Sequence, residues 1–143
     1  MLQRIQSIFL ALAAFCSFGL FGTDAAETNV PVASSAVFAD AQYTVLDSPV
    51  LIGGVVGAGI LLLLTIFMFR NRKLQTTLCT VAIILTVAYT AYGVILFLQD
   101  PASAQAALEF GIVLPVLVIL FTVLAARYIR KDERLVRSAD RLR

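Results

Sequence analysis

Long stretches without a charged side chain dominate this chain and settle the solvent it folds in. Segments 5–22, 50–69 and 74–98 carry no Asp, Glu, Lys or Arg, and segment 103–126 carries only Glu109. A bilayer core of roughly 30 Å is crossed by about 20 apolar residues at about 1.5 Å each. The runs are continuous in Leu, Ile, Val and Ala and do not alternate with period two, so they read as helices and not as barrel strands. With 60% apolar and 14% charged residues, the 143-residue chain lies outside both the soluble globular and the disordered classes.

The residues between these runs agree with four spans. Asp47-Ser48-Pro49 is a helix start, a capping side chain followed by proline at the first helical position. Asp100-Pro101 predicts another start before the fourth span. Arg70-Asn71-Arg72-Lys73 is a short polar turn that forces spans two and three to be antiparallel neighbours. All 11 Lys and Arg fall in Arg4, in this turn or after Ala126. The first loop (23–47) and the third loop hold Asp24, Glu27, Asp40, Asp47 and Asp100 and no basic residue. Basic loops stay cytoplasmic, so the expected topology has both termini inside. A rival reading makes Met1–Arg4 and Ile5–Gly22 the two regions of a signal peptide, cleaved near Thr23–Ala26. The length of the run favours a retained span.

Absences narrow the chemistry. The chain has no His and no Trp, which removes any Ser-His or Cys-His pair and the commonest transition-metal ligand. Cys16 and Cys79 form no CxxC motif, and no phosphate-cradling glycine loop precedes a lysine. The two thiols sit at depths of about 18 and 8 Å from the inner face, too far apart for a disulfide. The expectation is a protein that is not an enzyme and holds no cofactor or metal.

Several side-chain patterns are candidate sites. Gly53 and Gly57 form GxxxG, with Gly54 and Ala58 one step round the helix, a spacing that lets helix backbones approach closely. Thr76, Cys79, Thr80, Thr86 and Thr90 share an arc of about 120° on span three. Thr80 and Thr86 are expected to serve helix packing, since a solute path normally needs ionisable groups at mid-depth. Glu109 is the one acidic residue near hydrocarbon, and depth counting puts it at the outer edge. Pro115 is expected to kink span four. In the outer loop, alternation over Val37–Leu46 suits a strand that Val30–Ala33 can join as a hairpin. Segment 127–143 is a basic helical tail in which Arg130, Arg134, Arg137 and Arg141 form one ridge. Ile129, Leu135, Val136, Ala139 and Leu142 gather on another face, and Glu133 can pair with Arg137. Such a helix lies on anionic headgroups, docks on a partner, or is a solvated anchor. Nucleic acid is not an expected partner, because aromatics are few and acids are mixed in.

Three blocks carry a family resemblance: the opening Met1-Leu2-Gln3-Arg4-Ile5-Gln6, the inner turn Arg70-Asn71-Arg72-Lys73-Leu74-Gln75, and the tail from Ile129 to Arg143. Together they resemble the domain of unknown function 4293 family, small four-span membrane proteins of Bacteroidetes. The resemblance implies four retained spans in a bacterial inner membrane and supplies no activity. The expected fold is therefore all-α: a four-helix membrane bundle, N-in and C-in, with a short outer loop and a basic cytoplasmic tail. The expected function is that of a non-enzymatic accessory or scaffold subunit, acting through helix packing and its basic tail on anionic lipid, a membrane protein or a second copy of itself. The alternative is a small transporter or channel subunit.

Overall fold

The computed structural model describes residues 2–140. Four helices make up most of it: α1 (Leu2–Gly19), α2 (Pro49–Phe67), α3 (Arg72–Gln99) and α4 (Val113–Asp140). Each contains a stretch long and apolar enough to cross a membrane. Every helix packs mainly on two others, α1 on α4 and α2, and α3 on α2 and α4, so the four close into a ring. Leu10, Val55, Leu62, Cys79, Val118 and Ile129 fill its axis and are almost fully buried. Phe15, Ile84, Val116 and Leu120 stand exposed on its perimeter. A soluble protein rarely leaves so large an apolar surface open to water.

Three two-residue strands lie at one end: β1 (Ala26–Glu27), β2 (Gln42–Tyr43) and β3 (Ala107–Leu108), all antiparallel in the order β2-β1-β3. This differs from the expected hairpin. Val30–Ala33 is not a strand; its one ladder-like contact is the Val32 amide donating to the Phe38 carbonyl at 2.9 Å. The strand opposite Gln42–Tyr43 is Ala26–Glu27, in the register Ala26 to Tyr43.

The fourth span also begins later than expected. Residues 103–112 are not an α-helix. Pro101–Gln105 is a 3₁₀ turn capped by the Asp100 carboxylate, Ala107–Leu108 is β3, and Phe110–Ile112 is a second 3₁₀ turn. The physical reason lies in the backbone. The amides of Glu109 and Gly111 donate to the Ala25 and Asp24 carbonyls at 3.0 and 2.9 Å, and an amide held there cannot join a helical ladder. Pro115 is the third residue of α4, where no intrahelical N–H bond is due, so it costs the helix no bond and the expected kink has no cause there. At the far end α4 runs on through the tail to Asp140 without a break.

Helix contact differs from glycine to glycine along the motif. Gly53 is exposed, and a Cβ added there meets nothing within 4 Å. At Gly57 the nearest atom is a Leu85 methyl at 3.2 Å. The close approaches are at Gly54, where a Cβ would sit 2.6 Å from Tyr89 Cβ, and at Gly59, 2.6 Å from Phe18 Cζ. Between them Ser17 Oγ of α1 donates to the Val55 carbonyl of α2 at 3.0 Å. Thr80 is exposed and donates to its own helix, to the Thr76 carbonyl. Thr86 is fully buried, donating to the Ala82 carbonyl. Cys16 and Cys79 are both buried free thiols.

This seam gives a contrast within one motif. Gly54→Ala should destabilise the bundle by about 1–3 kcal/mol through overpacking against Tyr89. Gly53→Ala should be neutral or stabilising by up to about 1 kcal/mol, the helix-propensity difference. Equilibrium unfolding of the two variants in mixed micelles checks this; equal costs would contradict the seam.

Candidate functional site

The end bearing the strands is a folded cap, built by contacts between residues far apart in sequence. Ser35 Oγ donates to Asp100 Oδ2 at 2.6 Å and accepts from the amides of Val37 and Phe38 at 3.1 and 2.7 Å. Asp100 in turn caps the Ala102 amide at 2.9 Å. One serine thus ties the tip of the first loop to the end of α3. Phe38, fully buried, meets Tyr43 and Phe97 at ring separations of 6.1 Å, and Tyr43 lies 6.2 Å from Phe97. Tyr43 Oη donates to the Gly93 carbonyl at 2.8 Å. Burial, with the nearby Asp47 and Tyr92, pushes the Tyr43 phenol up to about 12, so it remains a donor across the physiological range. At Gly111 a Cβ would collide with the Asp24 carbonyl, so that position admits only glycine without a backbone shift. Ala41 takes φ 70° at the turn into β2, where its carbonyl accepts from the Thr28 amide at 2.8 Å.

Glu109 belongs to this cap. It is exposed, lies outside α4 in the residue before the Phe110–Ile112 turn, and faces no mid-span environment. Along the bundle interior the buried polar residues are Gln6, Ser17, Thr65, Gln75, Thr86 and Thr122; Asp100, in the cap, is the buried charged residue among those described. Thr65, Thr76, Thr86 and Thr122 each donate to the carbonyl four residues back. Their hydroxyl protons are therefore spent on their own helices. Three buried side-chain atoms lack a hydrogen-bond partner among the described residues: Gln75 Oε1, Tyr89 Oη and Thr90 Oγ1. Tyr89 Oη lies near the Ser17 and Thr86 hydroxyls outside hydrogen-bond geometry.

The opposite end gathers the basic residues. Gln75 is fully buried there, and its Nε2 donates to the Thr65 carbonyl at 3.1 Å, joining α3 to the end of α2. Phe9 of α1 stacks on Tyr128 of α4 at 5.5 Å. Arg72 pairs with Asp132 at 2.9 Å, so the acid that interrupts the apolar face of the tail fastens α4 to α3. Being partly exposed, the pair contributes at most about 1 kcal/mol. Ile129 is fully buried in the bundle and is not part of a free apolar face, whereas Leu135 and Val136 are exposed. Arg130 and Arg134 are exposed on α4. Arg137 falls on the same helix, and Arg141 lies outside the described residues. Among the described residues no three His, Cys, Asp or Glu side chains gather as a metal site.

The Ser35, Phe38, Tyr43, Gly93 and Asp100 constellation escaped sequence reasoning. Ser35 and Asp100 are 65 positions apart, and neither stands in a local motif that links them.

Residues 2–142 match the family model described as a domain of unknown function (DUF4293). No curated protein and no solved structure matches the chain.

Burial pushes the Asp100 carboxyl up, but the bonds from Ser35 and the amide of Ala102, with the nearby amides of Val37 and Ala36, hold it below the usual carboxylate range. A lowered folded value stabilises the cap above the unfolded pKa of about 3.9, and that stability is lost as pH falls through the folded value. The protection factors of the Val37 and Phe38 amides, which divide out the intrinsic pH dependence of exchange, should therefore be high at neutral pH and fall only below about pH 4. Asp100→Asn should remove this acid limb and speed exchange at pH 7. Unchanged exchange in that variant would sever the proposed tie between loop and helix.

Proposed function

The chain belongs to the DUF4293 family, and from that membership and the geometry above we propose that it is a small multi-pass protein of a bacterial inner membrane. Both termini and the Arg70–Lys73 turn are cytoplasmic, and the acidic cap faces the other side. It acts as a non-enzymatic accessory or scaffold subunit. The ring of helices is the anchor, and its basic end is the working surface.

The observation that carries this reading is the charge segregation along a closed bundle. Every Lys and Arg among the described residues belongs to one end, while Asp24, Glu27, Asp40, Asp47, Asp100 and Glu109 belong to the other. No ionisable row joins the two ends among the described buried residues, which favours an anchored scaffold over a conducting subunit. Helix α4 extends the argument. Its 28 residues span about 42 Å at 1.5 Å each, against a hydrocarbon core of roughly 30 Å. Counted from Val113, Arg130 stands about 26 Å along the helix and Arg134 one turn further. The last turns therefore project beyond the core as a continuation of the span. Arg130, Lys131 and Arg134 meet anionic headgroups at that level, each contributing about 1 kcal/mol. The projecting turns, with Leu135 and Val136 exposed beside the arginines, are the docking segment for a protein partner with an acidic face.

Two measurements test this. Reporter fusions after Lys73 and Arg143 should read cytoplasmic, and one after Asp40 should read the opposite side; a cytoplasmic signal at Asp40 overturns the orientation. Native purification from membranes should bring down a stoichiometric partner from wild type. Arg130→Glu with Arg134→Glu should weaken that capture at least tenfold while leaving the bundle inserted, because the spans keep their apolar drive and Arg70, Arg72, Lys73 and Arg127. Equal capture by wild type and double variant would remove the basic end from the function.

A further inference from the structure

Two of the three blocks that carry the family resemblance match each other. Arg4-Ile5-Gln6-Ser7 stands in the first turns of α1, and Lys73-Leu74-Gln75-Thr76 in the first turns of α3. Carried on at the same spacing, Leu12 falls on Val81, Ala13 on Ala82, Ser17 on Thr86 and Gly19 on Ala88. The buried face follows this alignment. The buried residues of α3 are Gln75, Cys79, Ala82, Thr86 and Tyr89. Their counterparts Gln6, Leu10, Ala13, Ser17 and Leu20 are all buried too. Helices α2 and α4 share a shorter signature. Each has a fully buried threonine five residues before an arginine, Thr65 before Arg70 and Thr122 before Arg127. Each threonine donates to the carbonyl four residues back at 2.6 Å.

The connections at the acidic end repeat as well. From α1 to α2 the chain makes a 3₁₀ turn, β1, and a 3₁₀ turn before the next helix; from α3 to α4 it makes a 3₁₀ turn, β3, and a 3₁₀ turn. Strands β1 and β3 pair antiparallel with Ala26 opposite Leu108 and Glu27 opposite Ala107. A half-turn between the two strands carries Ala26 to Ala107 and Glu27 to Leu108 and returns the same pair. The same half-turn carries the packing of α1 on α4 into that of α3 on α2. Leu20 and Tyr89, equivalent in the alignment, line one cavity beneath this strand pair. A ring of four helices imposes alternating direction. It does not impose matching residues at matching buried positions, nor the same turn, strand and turn in both connections.

We propose that the chain is a tandem of one two-helix unit, residues 2–67 and residues 72–140, set face to face by an approximate half-turn about the bundle axis. The α1–α4 and α3–α2 seams are one self-complementary interface used twice. The partner surface that either unit offers is one that fits a second copy of that unit. What departs from the half-turn is largely added chain. Residues 28–44, with β2 and Ser35, have only Glu109 opposite them. Helix α3 has 28 residues against the 18 of α1. The Thr86 hydroxyl keeps to its own helix, whereas that of Ser17 crosses to α2. The tandem does not rest on the membrane reading.

Full-length protein in detergent micelles tests the equivalence. Leu10 and Cys79 are equivalent and fully buried. Leu10→Cys leaves a void and Cys79→Leu overpacks, so each should lower the thermal midpoint by about 5–10 °C. Made together they carry the leucine a half-turn round the axis at constant volume, and the midpoint should return to within about 2 °C of wild type. Leu114→Cys with Cys79→Leu exchanges buried positions that the half-turn does not relate, and there the two losses should add. Summed losses in both exchanges overturn the equivalence. A second variant reverses the order of the units: residues 71–143, a flexible linker, then residues 1–70. The start of α1 and the end of α4 lie at the same, basic end, so a linker can join them. The Phe38 amide should exchange within about threefold of its wild-type rate, because units related by a half-turn do not depend on which comes first. A reordered chain that leaves Phe38 unprotected, folded or not, overturns the tandem. Neither readout depends on which side of a membrane the cap faces.

Discussion

In hydrocarbon there is no water to pair with a backbone amide, so every N–H in an apolar stretch must find its partner within the chain. On the membrane reading proposed above, that one requirement organises this protein. Four runs become helices because a helix pairs its own amides, and the hydroxyls of Thr65, Thr76, Thr86 and Thr122 turn back on carbonyls of the same helix. The obligation changes form only where the helices end. There the first loop and the segment before α4 pair with each other, through the three short strands and the Glu109 and Gly111 amides. The cap is the bundle's way of finishing its hydrogen bonds at one end.

The two ends solve the same problem with different chemistry. At the basic end, turns are short and side chains do the joining: Gln75 to the Thr65 carbonyl, Arg72 to Asp132, Phe9 against Tyr128. At the acidic end the links run through backbone pairing and the Ser35–Asp100 bond, with an aromatic trio beneath. The short turn leaves no slack for a fold of its own. The long first loop has enough chain to make one, and it does so on the platform that α3 provides by reaching past the first turn of α2.

What could be read from the sequence follows from how local each signal is. Span number and length were legible because an uncharged run is a property of neighbouring residues. The phase of α2 was not. A helix that is apolar all round gives no preferred face, so GxxxG at Gly53 and Gly57 was as good a reading as the contact made by Gly54 and Gly59. The start of the fourth span was misplaced because Asp100-Pro101 caps a turn of either kind, and what stops the α-helix from beginning there is pairing with Ala26 and Glu27, some 80 positions earlier. Local alternation over Val37–Leu46 suggested a strand, yet β2 is only Gln42–Tyr43, since Ser35 and Phe38 are committed to α3. Of the expected ridge of tail arginines, Arg130 and Arg134 are exposed about one turn apart on α4, but Ile129 is claimed by the core. Glu109 was placed by depth counting alone, and it sits in the cap, outside α4.

The span of 65 residues between Ser35 and Asp100 has a temporal meaning. A chain made from its N-terminus at about 5–20 residues per second leaves Ser35 waiting roughly 3–13 seconds for its carboxylate. During that interval the first loop has no platform, because Phe97, Gly93 and β3 do not yet exist. Its apolar side chains, Phe38 and Tyr43 among them, stand open to any protease or chaperone on their side. The loop thus records whether α3 and β3 have arrived: a chain that stalls before them displays an unfolded segment, and a finished one hides it.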